Sequence, residues 1–216
     1  MKKYILTIAI SFIGLMNLMA NDSAYVEAMK TQLEQFDEAK SAEEFQNVAN
    51  AFARIGEMNS NEWLPKYYAA FALTNAGFRT EGIKEKDAFF KQAQDLIDKA
   101  ISENGENSEL VAMKGYALMG ELAADPASRG QHMSGLVMST FGKALSYDPE
   151  NPRAMILMAQ MEQGTAKFFG TGPEKACGMA RQSLKLFELE ASYVNENPLS
   201  PKWGKDMAEK MTQQCQ

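Results

Sequence analysis

The 216-residue chain has a single histidine, His132, and only two cysteines, Cys177 and Cys215. A Ser/His/Asp triad or a Cys/His dyad would have to use that one imidazole. No nucleophile motif such as G-x-S-x-G occurs near it, so His132 reads as a surface or capping residue. Two thiols without a neighbouring histidine make a poor zinc set. Gly170-Thr171-Gly172 lacks the Gly-Lys-Ser/Thr that completes a phosphate loop, and no strand leads into it. The acidic pairs Glu43-Glu44, Glu85 with Asp87, and Glu188 with Glu190 stand one or two positions apart, where helical side chains do not face each other. They read as solvated surface. No catalytic, cofactor-binding or metal site is expected, and the chain reads as a non-enzyme.

Positive charge is also scarce. The 22 basic residues face 28 acidic ones, a net charge of −6. Without a basic stripe, nucleic-acid binding is not expected. No period-two alternation marks a strand, and no linker rich in Gly, Pro and Ser divides the chain. Both absences favour one all-α domain. Long apolar runs are missing too, with one exception at the N-terminus. Lys2-Lys3, an apolar stretch from Tyr4 to Leu18 and Met19-Ala20 form a signal-peptide pattern with a cut after Ala20. The alternative, a membrane anchor, is short for a span and is interrupted by Ser11, Gly14 and Asn17. The expected division is a signal peptide over 1–20 and one helical domain over 21–216, periplasmic or secreted, with no membrane span once the signal is removed. Cleavage takes Lys2 and Lys3 away, so the net charge moves from −6 to −8. An exported chain with two cysteines invites a Cys177–Cys215 disulfide.

What is present is helical punctuation. Tyr25, Met29, Leu33 and Phe36 recur at helical spacing, and Ser41 with Glu44 forms a capping-box pattern before a second helix. Helices are then predicted from Trp63 onward, over Ile83–Glu103, Glu109–Ala123, up to Tyr147, Arg153–Phe168, Glu174–Tyr193 and to Gln214. Gly77–Gly82, Asp125–Gly130 and Phe168–Pro173 read as bulky loops, and Asn197–Gly204 as a stiff connector. Trp63, Tyr67, Tyr68 and Phe71 crowd one helix start, as at a buried helix–helix seam; the alternative is a stacking surface for a sugar or a peptide, with Tyr67 its candidate. The 15 methionines suit irregular gaps in a core.

Lys143-Ala144-Leu145-Ser146-Tyr147-Asp148-Pro149-Glu150-Asn151-Pro152 repeats Lys99-Ala100-Ile101-Ser102-Glu103-Asn104-Gly105-Glu106-Asn107-Ser108 at an offset of 44. Each copy holds a helix end, a breaker and an N-cap candidate, Asn107 or Asn151. A fixed-offset repeat of this length points to stacked helical hairpins. Val137, Phe141, Ala144 and Pro149 resemble the second-helix and closing-turn signature of tetratricopeptide (TPR) repeats. Met155, Met158 and Ala159 stand where that family has its large, large, small triplet; Val111 and Gly115 are the upstream counterparts. Lys114 and Glu162 depart from the pattern. The unit is roughly ten residues longer than the ~34 of the family, and the excess is expected around Asp125–His132.

The resemblance, to a divergent exported TPR-like protein of the Bacteroidetes type, implies a right-handed solenoid. About four antiparallel hairpins are expected, closed by a C-terminal capping helix. It also implies a protein or peptide partner in a concave groove lined by Lys66, Tyr67, Glu109, Ala112, Tyr116, Arg153, Ile156 and Gln160. The alternative is capture of a carbohydrate or metabolite by extended loops carrying Phe78, Arg79, Arg129, Phe168 and Phe169.

Overall fold

The capping box opens the first helix whose start can be read atom by atom. Glu44 N–H donates to Ser41 Oγ (3.2 Å), while Ser41 and Lys40 N–H donate to Glu44 Oε2 (2.9 and 2.7 Å). Those backbone donors hold the Glu44 carboxyl below the usual carboxylate range. The computed structural model describes residues 23–215. The expected signal segment, residues 1–20, lies outside the described residues.

Residues 23–38 form α1. It is followed by α2 (Ala42–Met58), α3 (Leu64–Arg79), α4 (Ile83–Asn104), α5 (Ser108–Ala124), α6 (Pro126–Tyr147), α7 (Pro152–Phe169), α8 (Glu174–Glu196) and α9 (Lys205–Gln213). No strand occurs among the described residues. The short turns make neighbours antiparallel, and hairpin stacks on hairpin in an all-α solenoid. Asn107 and Asn151 cap α5 and α7 as expected, accepting from Leu110 N–H (2.9 Å) and Ala154 N–H (2.8 Å).

The repeat length is visible in the bonds that join successive hairpins. Lys99 reaches Glu57, Asn104 reaches the Ser60 carbonyl, Arg129 reaches Asp87, and Arg153 reaches Glu109. Each pair is 42 or 44 positions apart. The second helices of the hairpins, α4, α6 and α8, have 22, 22 and 23 residues, against 16, 17 and 18 for α3, α5 and α7. This corrects the expected loops. Asp125–Gly130 is the start of α6, because Asp125 caps Ser128 N–H and proline is at home in a first turn. Gly77–Arg79 completes α3, and Phe168 and Phe169 complete α7. The extra residues lengthen helices and leave the turns short.

Burial separates two kinds of helix. The outer helices bury one stripe: Phe90, Ala93, Ile97 and Ala100 on α4, and Val137, Phe141 and Ala144 on α6. The inner helices are buried nearly all round, as in Pro65–Thr74 of α3 and Leu110–Met113 of α5. Glycine lets the pairs close: a Cβ on Gly115 would enter the Phe141 ring, and one on Gly77 or Gly120 the Phe90 ring. At the C-terminus, Cys177 and Cys215 form the expected disulfide, with Cα atoms 5.7 Å apart, and tie the end of the chain to α8. Closing a 38-residue separation contributes on the order of 4 kcal/mol through the unfolded chain.

Candidate functional site

The inner helices α3, α5 and α7 pack side by side, and the face they present is covered. After α8 the chain crosses that face as a non-helical strap, residues 197–204, which opens with a turn at 197–200, before α9 docks. Tyr68 Oη donates to the Leu199 carbonyl (2.9 Å) and Arg153 Nη1 to the Pro201 carbonyl (3.2 Å). Trp203 Nε1 donates to Tyr67 Oη (2.9 Å).

The residues expected in an open groove therefore have structural partners. Lys66, Tyr67, Ala112, Arg153 and Ile156 are each at most 2% exposed, and Tyr116 is 6% exposed; Gln160 is half-buried. Lys66 pairs with Glu103 (2.7 Å) and donates to the Gly56 carbonyl (3.2 Å). Glu109 is the hub of the polar network beneath the strap. It accepts from Tyr67 Oη (2.8 Å), Asn151 Nδ2 (2.7 Å) and Arg153 Nε (2.8 Å). Arg153 also grips the Glu190 carboxylate with both terminal nitrogens. Burial works against the Arg153 charge, but Glu109 and Glu190 outweigh it and hold its pKa above the ordinary value. Burial, reinforced by Glu109, pushes the Tyr67 hydroxyl well above its ordinary range. Tyr67 and Arg153 hold the strap, and Glu109 and Arg153 border the cleft beside it.

The second expected set lies at helix ends along the edge where first helices turn into second ones. Phe78 packs against Phe90 and Tyr116 (centroids 5.3 Å each). Arg79 lies over the Phe45 ring (4.4 Å). Arg129 is held by Asp87 and the Glu121 carbonyl. Phe168 and Phe169 are exposed and meet edge to face. None of the five lines the clefts described below, and His132 is an exposed residue of α6.

An aromatic surface that the sequence reading did not assemble runs beneath and beside the strap. Phe36 of α1 stacks on Phe71 of α3 (4.7 Å, 21°). The Trp203 indole stacks on both Phe71 (4.6 Å, 20°) and Tyr116 of α5 (5.4 Å, 19°). Beside these rings is a cleft of about 270 Å³. Leu33, Phe36, Tyr68, Phe71 and Trp203 form its apolar wall, with Lys30, Lys202, Glu34 and Asp37 around it. A cleft of about 410 Å³ lies on the other side of the strap, lined by Trp63, Leu186 and Tyr193 together with Glu109, Asp148, Glu150 and Glu190. Arg153 also lines it and pairs with Glu109 and Glu190, so the free negative charge there comes from Asp148 and Glu150. A shallow groove of about 500 Å³ between α1 and α2 is bounded by Ala28, Gln32, Ala51, Arg54, Ile55, Glu57 and Met58. No cluster of three or more metal-ligating side chains occurs among the described residues. The overlooked sequence signal was the lack of a polar face on α3 and α5: a helix apolar all round is covered on both sides.

No protein-family model and no curated protein matches the chain. A solved structure does. The chain is similar to the HusA haemophore from Porphyromonas gingivalis. The superposition covers 89% of this chain and 92% of that one, with a TM-score of 0.78 and 27% sequence identity. The likeness to HusA supports an exported, all-helical, non-catalytic binding protein of the Bacteroidetes type. No helix among the described residues is long and apolar enough to cross a membrane.

Proposed function

We propose that this chain is a periplasmic or secreted carrier that binds a flat, largely apolar ring system, a haem or a related porphyrin, on the aromatic surface of its inner face. The observation that carries this reading is the near full-length likeness to the HusA haemophore. The rings of Phe36, Phe71 and Tyr116, already stacked or packed on one another, suit a planar ligand, since offset-stacked aromatic contacts add to area burial. Lys30 and Lys202 offer partners for peripheral carboxylates. Of the two expected partner classes, this favours the small ligand over the protein or peptide, because the strap occupies the face a peptide would need. The ligand site moves from the helix-end residues to the inner-face rings. We further assign the hairpins to a TPR-like type, one domain over residues 21–216, on the strength of the Gly115–Phe141 contact and the 44-residue register.

The test is a titration of the mature chain with haemin, followed by Soret absorbance and by quenching of the two tryptophans, Trp63 and Trp203. Saturable one-site binding is expected. Phe36→Ala should weaken it roughly 5- to 10-fold, from the ~1 kcal/mol of a lost aromatic contact. Phe168→Ala should leave it unchanged. Absence of saturable binding would remove the reading.

A further inference from the structure

We infer that Trp203 is an internal stand-in for the ligand: the indole holds the place on Phe71 and Tyr116 that the ligand ring takes when the strap lifts. This inference rests on the porphyrin reading above and names how the site opens. The first observation is size. The cleft beside the rings is about 270 Å³, below the ~300–1,000 Å³ of pockets that enclose small-molecule ligands, and a porphyrin is a large ligand. Its fixed walls are packed helices, whereas Pro198, Ser200, Lys202 and Trp203 all belong to the strap.

The second observation is how the strap is held. Residues 198–203 make no backbone-to-backbone bond to another element among the described residues. Side chains do the holding, through Tyr68 to the Leu199 carbonyl, Arg153 to the Pro201 carbonyl, and the indole. Both ends are fixed, one to α8 and the other to α9, which the Cys177–Cys215 bond secures. The strap can therefore rise as a loop without being lost.

The third observation is what remains beneath. When the indole leaves, Tyr67 still donates to Glu109, and Arg153 keeps both Glu109 and Glu190. No buried charge is left unpaired, so opening avoids the large penalty of an orphaned ion. The indole bridges two rings that are tilted 39° to each other, within 20° of each, and a ligand that replaces it must itself be flat and aromatic. The strap thus selects planar ligands over flexible apolar chains of similar size.

The experiment combines two readouts on the mature chain with protoporphyrin IX as the probe. Removing the internal competitor raises the fraction of chains open to ligand, so Trp203→Ala is expected to bind about 10-fold more tightly than wild type. In wild type, amide hydrogen exchange over 198–204 is expected to speed up when the porphyrin is added. Binding with unchanged or weaker affinity in Trp203→Ala, or strap amides that become more protected, overturns the inference while the porphyrin reading stands. Failure of both chains to bind overturns the porphyrin reading and this inference with it. The exchange measurement uses wild type alone, so it decides the matter even if Trp203→Ala does not fold.

Discussion

Glu109 shows how much of this molecule is settled by single side chains. Its carboxylate accepts from three groups, on α3, on α7 and on the α7 N-cap Asn151, and Arg153, 2% exposed, depends on it. Glu109→Ala should cost roughly 3–5 kcal/mol, the penalty of leaving one member of a buried pair uncompensated. Urea denaturation of the two chains measures it; a loss below about 1 kcal/mol would show that the network is solvated. The caps Ser41, Asn107 and Asn151 were legible in the sequence because each acts on a backbone amide three residues ahead. Glu109 and Arg153 were legible as polar residues of the inner helices but not as partners. Their satisfaction comes from Tyr67, Glu190 and Pro201, which are 37 to 48 positions away, and no local pattern reports such a meeting.

At the scale of elements, helix order was legible and helix ends were less so. Asp125-Pro126 reads as a loop; the structure makes it a helix start because Asp125 caps Ser128. The same proline chemistry that breaks a helix at its end is tolerated in its first turn. Packing between the elements turns on small residues. A Cβ at Gly115 would lie 2.4 and 2.7 Å from two carbons of the Phe141 ring edge, which is fully buried and cannot retreat. Gly115→Ala should therefore destabilise by about 1–3 kcal/mol through overpacking, despite the better helix propensity of alanine. Phe141→Leu in the same chain should recover part of that loss. A thermal melt of the single and double variants checks it; a neutral or stabilising Gly115→Ala would mean that α5 and α6 pack loosely.

For the whole molecule, the solenoid and its disulfide were both legible, the first from the 44-residue repeat and the second from cysteine number and export. The covering of the inner face was not. A repeat pattern specifies how hairpins stack, but it carries no information about a segment outside the repeat. Asn197–Gly204 read as a stiff connector, and it contains no helix: a turn at 197–200, closed by Ser200 N–H to the Asn197 carbonyl, leads into irregular chain. Only tertiary structure lays it across α3, α5 and α7, with Trp203 on their rings. The proposed porphyrin site uses the rings of Phe36, Phe71 and Tyr116 in place of helix-end residues such as Phe168.

The most direct test of this account is an NMR shift map of the isotope-labelled mature chain titrated with protoporphyrin IX. The largest changes are expected at Phe36, Tyr68, Phe71, Tyr116 and along residues 198–204. Changes centred on Phe168, Phe169 and the neighbouring helix ends, with the inner face undisturbed, would contradict it.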